Sequence, residues 1–297
     1  FSSGRLRWGH GGGVPAAGGS GLKRVTRAAA ALLEGAGRLL SRAWDRRPGG
    51  LVVLGYHRID EGGGGLAVRP EDFRAHLEWI ESQGLAVVDV SAPRFAPRGQ
   101  PPHMAITFDD GYRSVAEVAW PELAARGWPA TLYVVPDYVK HPRAFPWDTG
   151  VLDGRARLVD RALTRELAEG GMSIGSHSLT HLYLPALSED GARREIAESR
   201  HALQDLIGRE VTSFAYPMGG WNAGLRRLVA EAGYRSAVTC MRGRNPPGAD
   251  LLALRRPIAE SDPIDFIRIV RGYYDFLRPL DWWRERRRQR RSAPGTR

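Results

Sequence analysis

The chain of 297 residues has one cysteine, Cys240, which excludes an internal disulfide and any zinc site built from several thiolates. It has no apolar run near the roughly 20 residues of a membrane span; the longest near its start, Ala28–Leu33, is far too short. No internal repeat is evident. No signal peptide is visible either, and the first residue is Phe1 rather than Met, which leaves room for an upstream piece carrying an export signal.

The composition, 42% hydrophobic and 26% charged, is that of a soluble globular protein, and the length suffices for one α/β barrel with a substantial core. A net charge of +10 suggests a nucleic-acid binder until it is divided along the chain. Residues 1–48 carry +7 and residues 284–297 carry +6, which leaves the body at −3. A nucleic-acid partner is therefore not expected. Basic ends suit peripheral contact with an anionic membrane surface, although unstructured Arg-rich arms are the plainer expectation.

Three regions follow. Residues 1–48 form a Gly-rich basic extension with a helix predicted over 22–45, residues 49–276 a single catalytic domain, and residues 277–297 an Arg-rich tail. From residue 51 onward short apolar runs alternate with helical stretches, the signature of βα units. Strands are expected at Leu51–Leu54, Leu85–Val88, Ala105–Phe108, Ala130–Val134, Met172–Ile174, Ser213–Ala215 and Ser236–Val238. Helices are expected at Pro70–Gln83, Ser114–Arg126, Asp160–Glu169, Ser188–Ile207 and Leu225–Ala232. His57, Asp109, Asp110 and His177 fall just past strand ends, where parallel barrels build their active sites.

Thr107-Phe108-Asp109-Asp110-Gly111-Tyr112 puts adjacent carboxylates at a strand exit. One can bind a cation while its neighbour stays ionised as a general base; alone, Asp-Asp-Gly is also common in turns. In His177-Ser178-Leu179-Thr180-His181, a helical turn would project both imidazoles to one side at a spacing suited to one metal ion. Two His and one Asp leave positions open for water, the pattern of catalytic rather than structural zinc.

Together, Thr-Phe-Asp-Asp-Gly and His-Ser-x-x-His resemble the signature of the polysaccharide deacetylases of carbohydrate esterase family 4, the nodulation-protein homology domain. Leu54-Gly55-Tyr56-His57-Arg58-Ile59, Phe214-Ala215-Tyr216-Pro217-Met218-Gly219 and Leu254-Arg255-Arg256-Pro257 extend the resemblance over about residues 51–275. The Tyr-His-Arg-Ile phrase is similar to the exopolysaccharide, poly-β-1,6-N-acetylglucosamine deacetylase branch. The resemblance implies a distorted (β/α)7 barrel that removes N-acetyl or O-acetyl groups from a polysaccharide, a hydrolase of carbon–nitrogen bonds other than peptide bonds. It implies Asp109 as base and Asp110, His177 and His181 as ligands of a divalent metal, with zinc favoured by the donor set. Metal-activated water would attack the acyl carbon, and the Met218 N–H, in the Tyr216-Pro217-Met218 phrase, would help hold the oxyanion.

Two departures stand out. Ala215 occupies the place of the Arg that orients the base in many members, so Arg255 or Arg256, near a late strand, is expected to reach Asp109 instead, with Arg256 preferred. The late His that protonates the leaving amine is missing, since no His follows His201; by resemblance to the branch, His57 is expected in that role. Trp147, Trp221 and Tyr112 are candidate groove residues for an acetylated amino-sugar polymer or oligosaccharide. Asp281-Trp282-Trp283 is read as a surface or packing motif. Function favours the cell envelope or the extracellular side. The alternatives are a deacetylase of a lipid-linked sugar or small amide on the same scaffold, and a non-catalytic carbohydrate-binding protein.

Overall fold

The apolar runs pair in sequence order into one parallel sheet: β1 (Leu51–Tyr56), β2 (His103–Phe108), β3 (Thr131–Val134), β4 (Ser173–Ser176), β5 (Ser213–Ala215) and β6 (Ser236–Val238). The structure, a computed structural model, describes residues 49–292 except 63–65, 142, 149–153 and 155. The helix predicted over 22–45 lies outside these residues. The helices are α1 (Pro70–Ser82), α2 (Trp120–Ala125), α3 (Pro136–Lys140), α4 (Arg161–Glu169), α5 (Glu189–Ile207), α6 (Ala223–Glu231), α7 (Pro263–Val270) and α8 (Arg278–Ser292). None among the described residues is long and apolar enough to cross a membrane.

Local chemistry sets several boundaries. The Asp160, Ser188 and Asn222 side chains accept the N–H three residues on and start α4, α5 and α6, and Gly208 in the left-handed region ends α5. The strands alternate between two apolar layers, as a period of two requires. Leu51, Val53, Ala105, Tyr133, Ala215 and Val238 fill the inside of the curved sheet, whereas Val52, Leu54, Tyr56, Ile106 and Phe108 pack outward against helices.

The gap between β6 and β1 is spanned by Leu254–Ile258. Leu254 donates its N–H to the Ala237 carbonyl and accepts from Thr239, at 2.9 Å each, and Gly55 donates to Pro257 at 3.0 Å. This stave, bridged in parallel to β6 through Leu254 and to β1 through Ile258, joins the six strands of the described residues into the distorted (β/α) barrel that the resemblance implied. The strand expected at Leu85–Val88 is reduced to one bridge, Val87 to Met104, because β3 takes that edge of β2 from Thr107 onward.

The C-terminal end corrects the expectation of an unstructured Arg-rich tail. Arg278–Ser292 is a helix docked by a polar ladder. Asp281 pairs with Arg242 at 2.9 Å, Glu285 accepts from the Tyr183 hydroxyl at 2.8 Å, and Gln289 donates to the Trp221 carbonyl at 2.8 Å. These contacts recur every four residues, one face of a helix.

Candidate active site

The C-terminal rim of the barrel gathers the carboxylates that follow β2 and the imidazoles that follow β4. Asp110, His177 and His181 each turn one ligand atom toward a common point, all within 4.8 Å of one another. Asp110 Oδ1 lies 3.3 Å from His181 Nε2 and 3.6 Å from His177 Nε2. His177 Nδ1 is 2.8 Å from the Ala215 carbonyl, which can only accept. Nδ1 therefore carries the proton, and Nε2 presents its lone pair to the site.

The imidazoles converge by a different route from the predicted helical turn. Residues 177–183 form a loop in which Ser178 and His181 are left-handed, at φ 60° and 63°, and Asp110 is left-handed at 70°. Such backbone costs a non-glycine residue on the order of 1–2 kcal/mol and persists only where surroundings enforce it. In the 177–183 loop Glu195 of α5 supplies that hold: its carboxylate accepts the Thr180 N–H at 2.9 Å and the Thr180 hydroxyl at 2.7 Å, and its carbonyl accepts the Leu179 N–H at 3.1 Å. Glu195→Ala should weaken metal binding about 10- to 100-fold in a metal titration, since the group orients ligands without being one. Unchanged affinity would mean the loop holds its own shape.

Asp109 and Asp110 sit side by side, buried, and are pushed in opposite directions. Burial, then the charges of Asp109 and Asp148, raises the Asp110 carboxyl well above the usual range, and its Oδ1 has no hydrogen-bond partner. Burial alone would raise Asp109 too, but the Arg256 guanidinium and then His177 override it and hold Asp109 well below that range. Arg256, fully buried, grips both Asp109 oxygens at 2.6 Å. It also donates to Thr107 Oγ1 at 3.2 Å. Gly55 makes room for it: a Cβ there would lie 3.1 Å from Arg256 Nη1 and 2.8 Å from Ile258 Cδ1.

A buried carboxylate oxygen without a partner, facing an imidazole lone pair, calls for a cation. The Asp110, His177 and His181 set fits a metal ion with positions left open. His57, just past β1, places Nε2 3.9 Å from Asp109 Oδ2. Burial lowers its pKa to about 4 against the opposing pull of Asp109, so the ring is neutral.

The proposed groove residues divide. Trp147 is 44% exposed, stacks on Phe145 at 4.5 Å, and lies 4.8 Å from His181, at the mouth of the site. Trp221 is half-buried near the Tyr216 ring. Tyr112 does not present a face to a groove: it is fully buried and donates its hydroxyl to Asp148 at 2.7 Å. Tyr216 is likewise buried, donating to the Leu252 carbonyl, and Pro217 is buried beside it. Met218 is exposed and left-handed at φ 55°. Sequence reasoning missed Glu195 and Asp148; neither lies in a motif, and Asp148 has only its neighbour Trp147 to draw attention to it.

A parallel barrel with carboxylates and imidazoles meeting at its C-terminal rim has the layout of a hydrolase. Residues 96–237 match the family described as polysaccharide deacetylase, and the chain carries a polysaccharide deacetylase domain. A Bacillus subtilis protein described as a polysaccharide deacetylase, YxkH, is 27% identical over 220 residues, 72% of this chain and 74% of that one. The poly-β-1,6-N-acetyl-D-glucosamine N-deacetylase of Escherichia coli is 30% identical over 100 residues, 31% of this chain and 15% of that protein. Among solved structures, the Streptococcus pyogenes deacetylase PplD in complex with acetate has a TM-score of 0.63 at 21% identity, over 74% of this chain and 98% of that one. IcaB from Ammonifex degensii has a TM-score of 0.62 at 21% identity, over 75% and 97%. These two share the fold. The family match contains Asp109, Asp110, His177 and His181, whereas His57 and Arg256 lie outside it.

Proposed function

We propose that the protein removes acetyl groups from an amino-sugar polymer of the poly-β-1,6-N-acetylglucosamine kind, at the cell envelope or outside it. The observation that carries this reading is the divergence of two adjacent carboxylates, Asp109 kept charged by Arg256 and Asp110 left without a hydrogen-bond partner at Oδ1. Opposite environments on neighbouring acids mark separate roles for them.

Asp110, His177 and His181 would hold a divalent ion, with zinc favoured by two imidazoles and one carboxylate. When bound, such an ion supplies Lewis acidity toward water and the acyl oxygen. Asp109 accepts the proton of the attacking water, and the two Arg256 contacts keep its carboxylate aimed. That grip makes Asp109 a poor place for the proton to stay. The neutral His57 ring, 3.9 Å from Asp109, can take it and deliver it to the leaving nitrogen. The Met218 N–H is assigned to the oxyanion. Trp147 offers its exposed face to a sugar ring beside the ligands.

The test is acetate release from poly-β-1,6-N-acetylglucosamine and from chitin oligomers by metal-stripped protein, with and without zinc. Release should depend on added zinc and fall about a thousandfold in Asp109→Asn. Release that survives both stripping and the substitution would sink the assignment of base and ligands.

A further inference from the structure

We propose that the outward face of α8 docks on a membrane surface rich in anionic lipid, beside the mouth of the site. The inward face is occupied by the ladder of Asp281, Glu285 and Gln289. Both acids of the helix are thereby turned toward the body, and the charge left facing outward is wholly cationic. Leu280, Trp283 and Arg287 recur on the opposite stripe at spacings of three and four residues.

This stripe and its flanks are open to solvent. Trp282 is 51% exposed, Trp283 52%, Leu280 38%, and Phe276, just before the helix, 36%. The Arg286 guanidinium lies 3.8 Å over the Trp282 ring and that of Arg287 5.3 Å over Trp283. Indoles interleaved with guanidiniums match the lipid headgroup layer, where ring bodies meet acyl chains and cations meet phosphates. A soluble polyanion would engage the arginines but leave Leu280 and Phe276 facing water, so the apolar half of the surface favours lipid.

The helix also adjoins the site. Arg288 donates to the Met218 carbonyl at 3.3 Å, and Glu285 holds Tyr183, two residues beyond His181. A docked α8 would set the rim against the headgroups, where a polymer emerging at a membrane would pass.

Vesicle co-sedimentation of the full chain tests this, with phosphatidylglycerol–phosphatidylcholine vesicles against phosphatidylcholine alone. The chain should partition onto the anionic vesicles only. A variant carrying Trp282→Ala, Trp283→Ala, Arg286→Gln and Arg287→Gln should lose about tenfold or more of that partitioning. Should that variant fail to fold, Arg286→Glu with Arg287→Glu, which spares the apolar contacts, is expected to show the same loss. Partitioning unchanged in a folded variant would overturn the proposal, because the residues 1–48 or another surface would then be responsible. So would binding to heparin with none to vesicles. The readout is independent of catalysis, so the deacetylase reading can fail without touching it.

Discussion

Arg256→Ala is expected to destabilise the protein by about 3–5 kcal/mol, because it leaves the Asp109 carboxylate buried without its counter-charge. The side chain is fully buried and both of its contacts to Asp109 are 2.6 Å. Turnover should fall as well, about a hundredfold, since the carboxylate loses the fork that aims it. Arg256→Lys separates these effects. A single ammonium can neutralise Asp109 but cannot hold both oxygens, so most of the stability should return while much of the rate loss remains. Denaturant titration and single-turnover rates on the two variants would test this. Normal turnover in Arg256→Ala would show that Asp109 needs no orienting partner.

Asp110→Asn should behave in the opposite sense on stability. The carboxyl is buried beside Asp109, is driven toward its protonated form, and leaves Oδ1 without a hydrogen-bond partner. Removing that charge should leave the metal-free protein at least as stable as the parent. Metal affinity, by contrast, should drop more than about a hundredfold, since even residues that merely orient ligands are worth 10–100-fold. Zinc should therefore raise the melting temperature of the parent and not of Asp110→Asn. A variant that melts lower without metal and still responds to zinc would show that Asp110 is paired structurally and is not a ligand.

Much of this site was legible because its groups sit at strand ends. The runs that became β2 and β4 announce themselves by apolar composition, and whatever follows them must lie at the rim. Asp109, Asp110 and His177 are placed in this way, and His181 by its spacing from His177 in His-Ser-x-x-His. Arg256 was narrowed to a pair and decided by geometry: along the extended stave neighbouring side chains face opposite sides. Arg256 points into the barrel, while Arg255 turns out to the Arg244 carbonyl. The route from His177 to His181 was misread because spacing alone cannot tell a helical turn from a loop carrying two left-handed residues. Glu195 was invisible for a related reason, since its target is fifteen residues upstream and belongs to another element. α8 was missed because apolar periodicity was the signal sought, and it docks through Asp281, Glu285 and Gln289. The expectation that Tyr112 lines a groove failed on Asp148, whose carboxylate takes the hydroxyl inward.

The stave that closes the barrel lies late in the chain, and Arg256 rides on it. A ribosome that has released only residues up to β6 has made both acids, both imidazoles and the loop that aims them. Arg256, the cationic clamp of the Asp109 carboxylate, is not yet among them. The ion pair can form only when Leu254–Ile258 lies between β6 and β1. The charge balance of Asp109 is thereby tied to the completion of the fold.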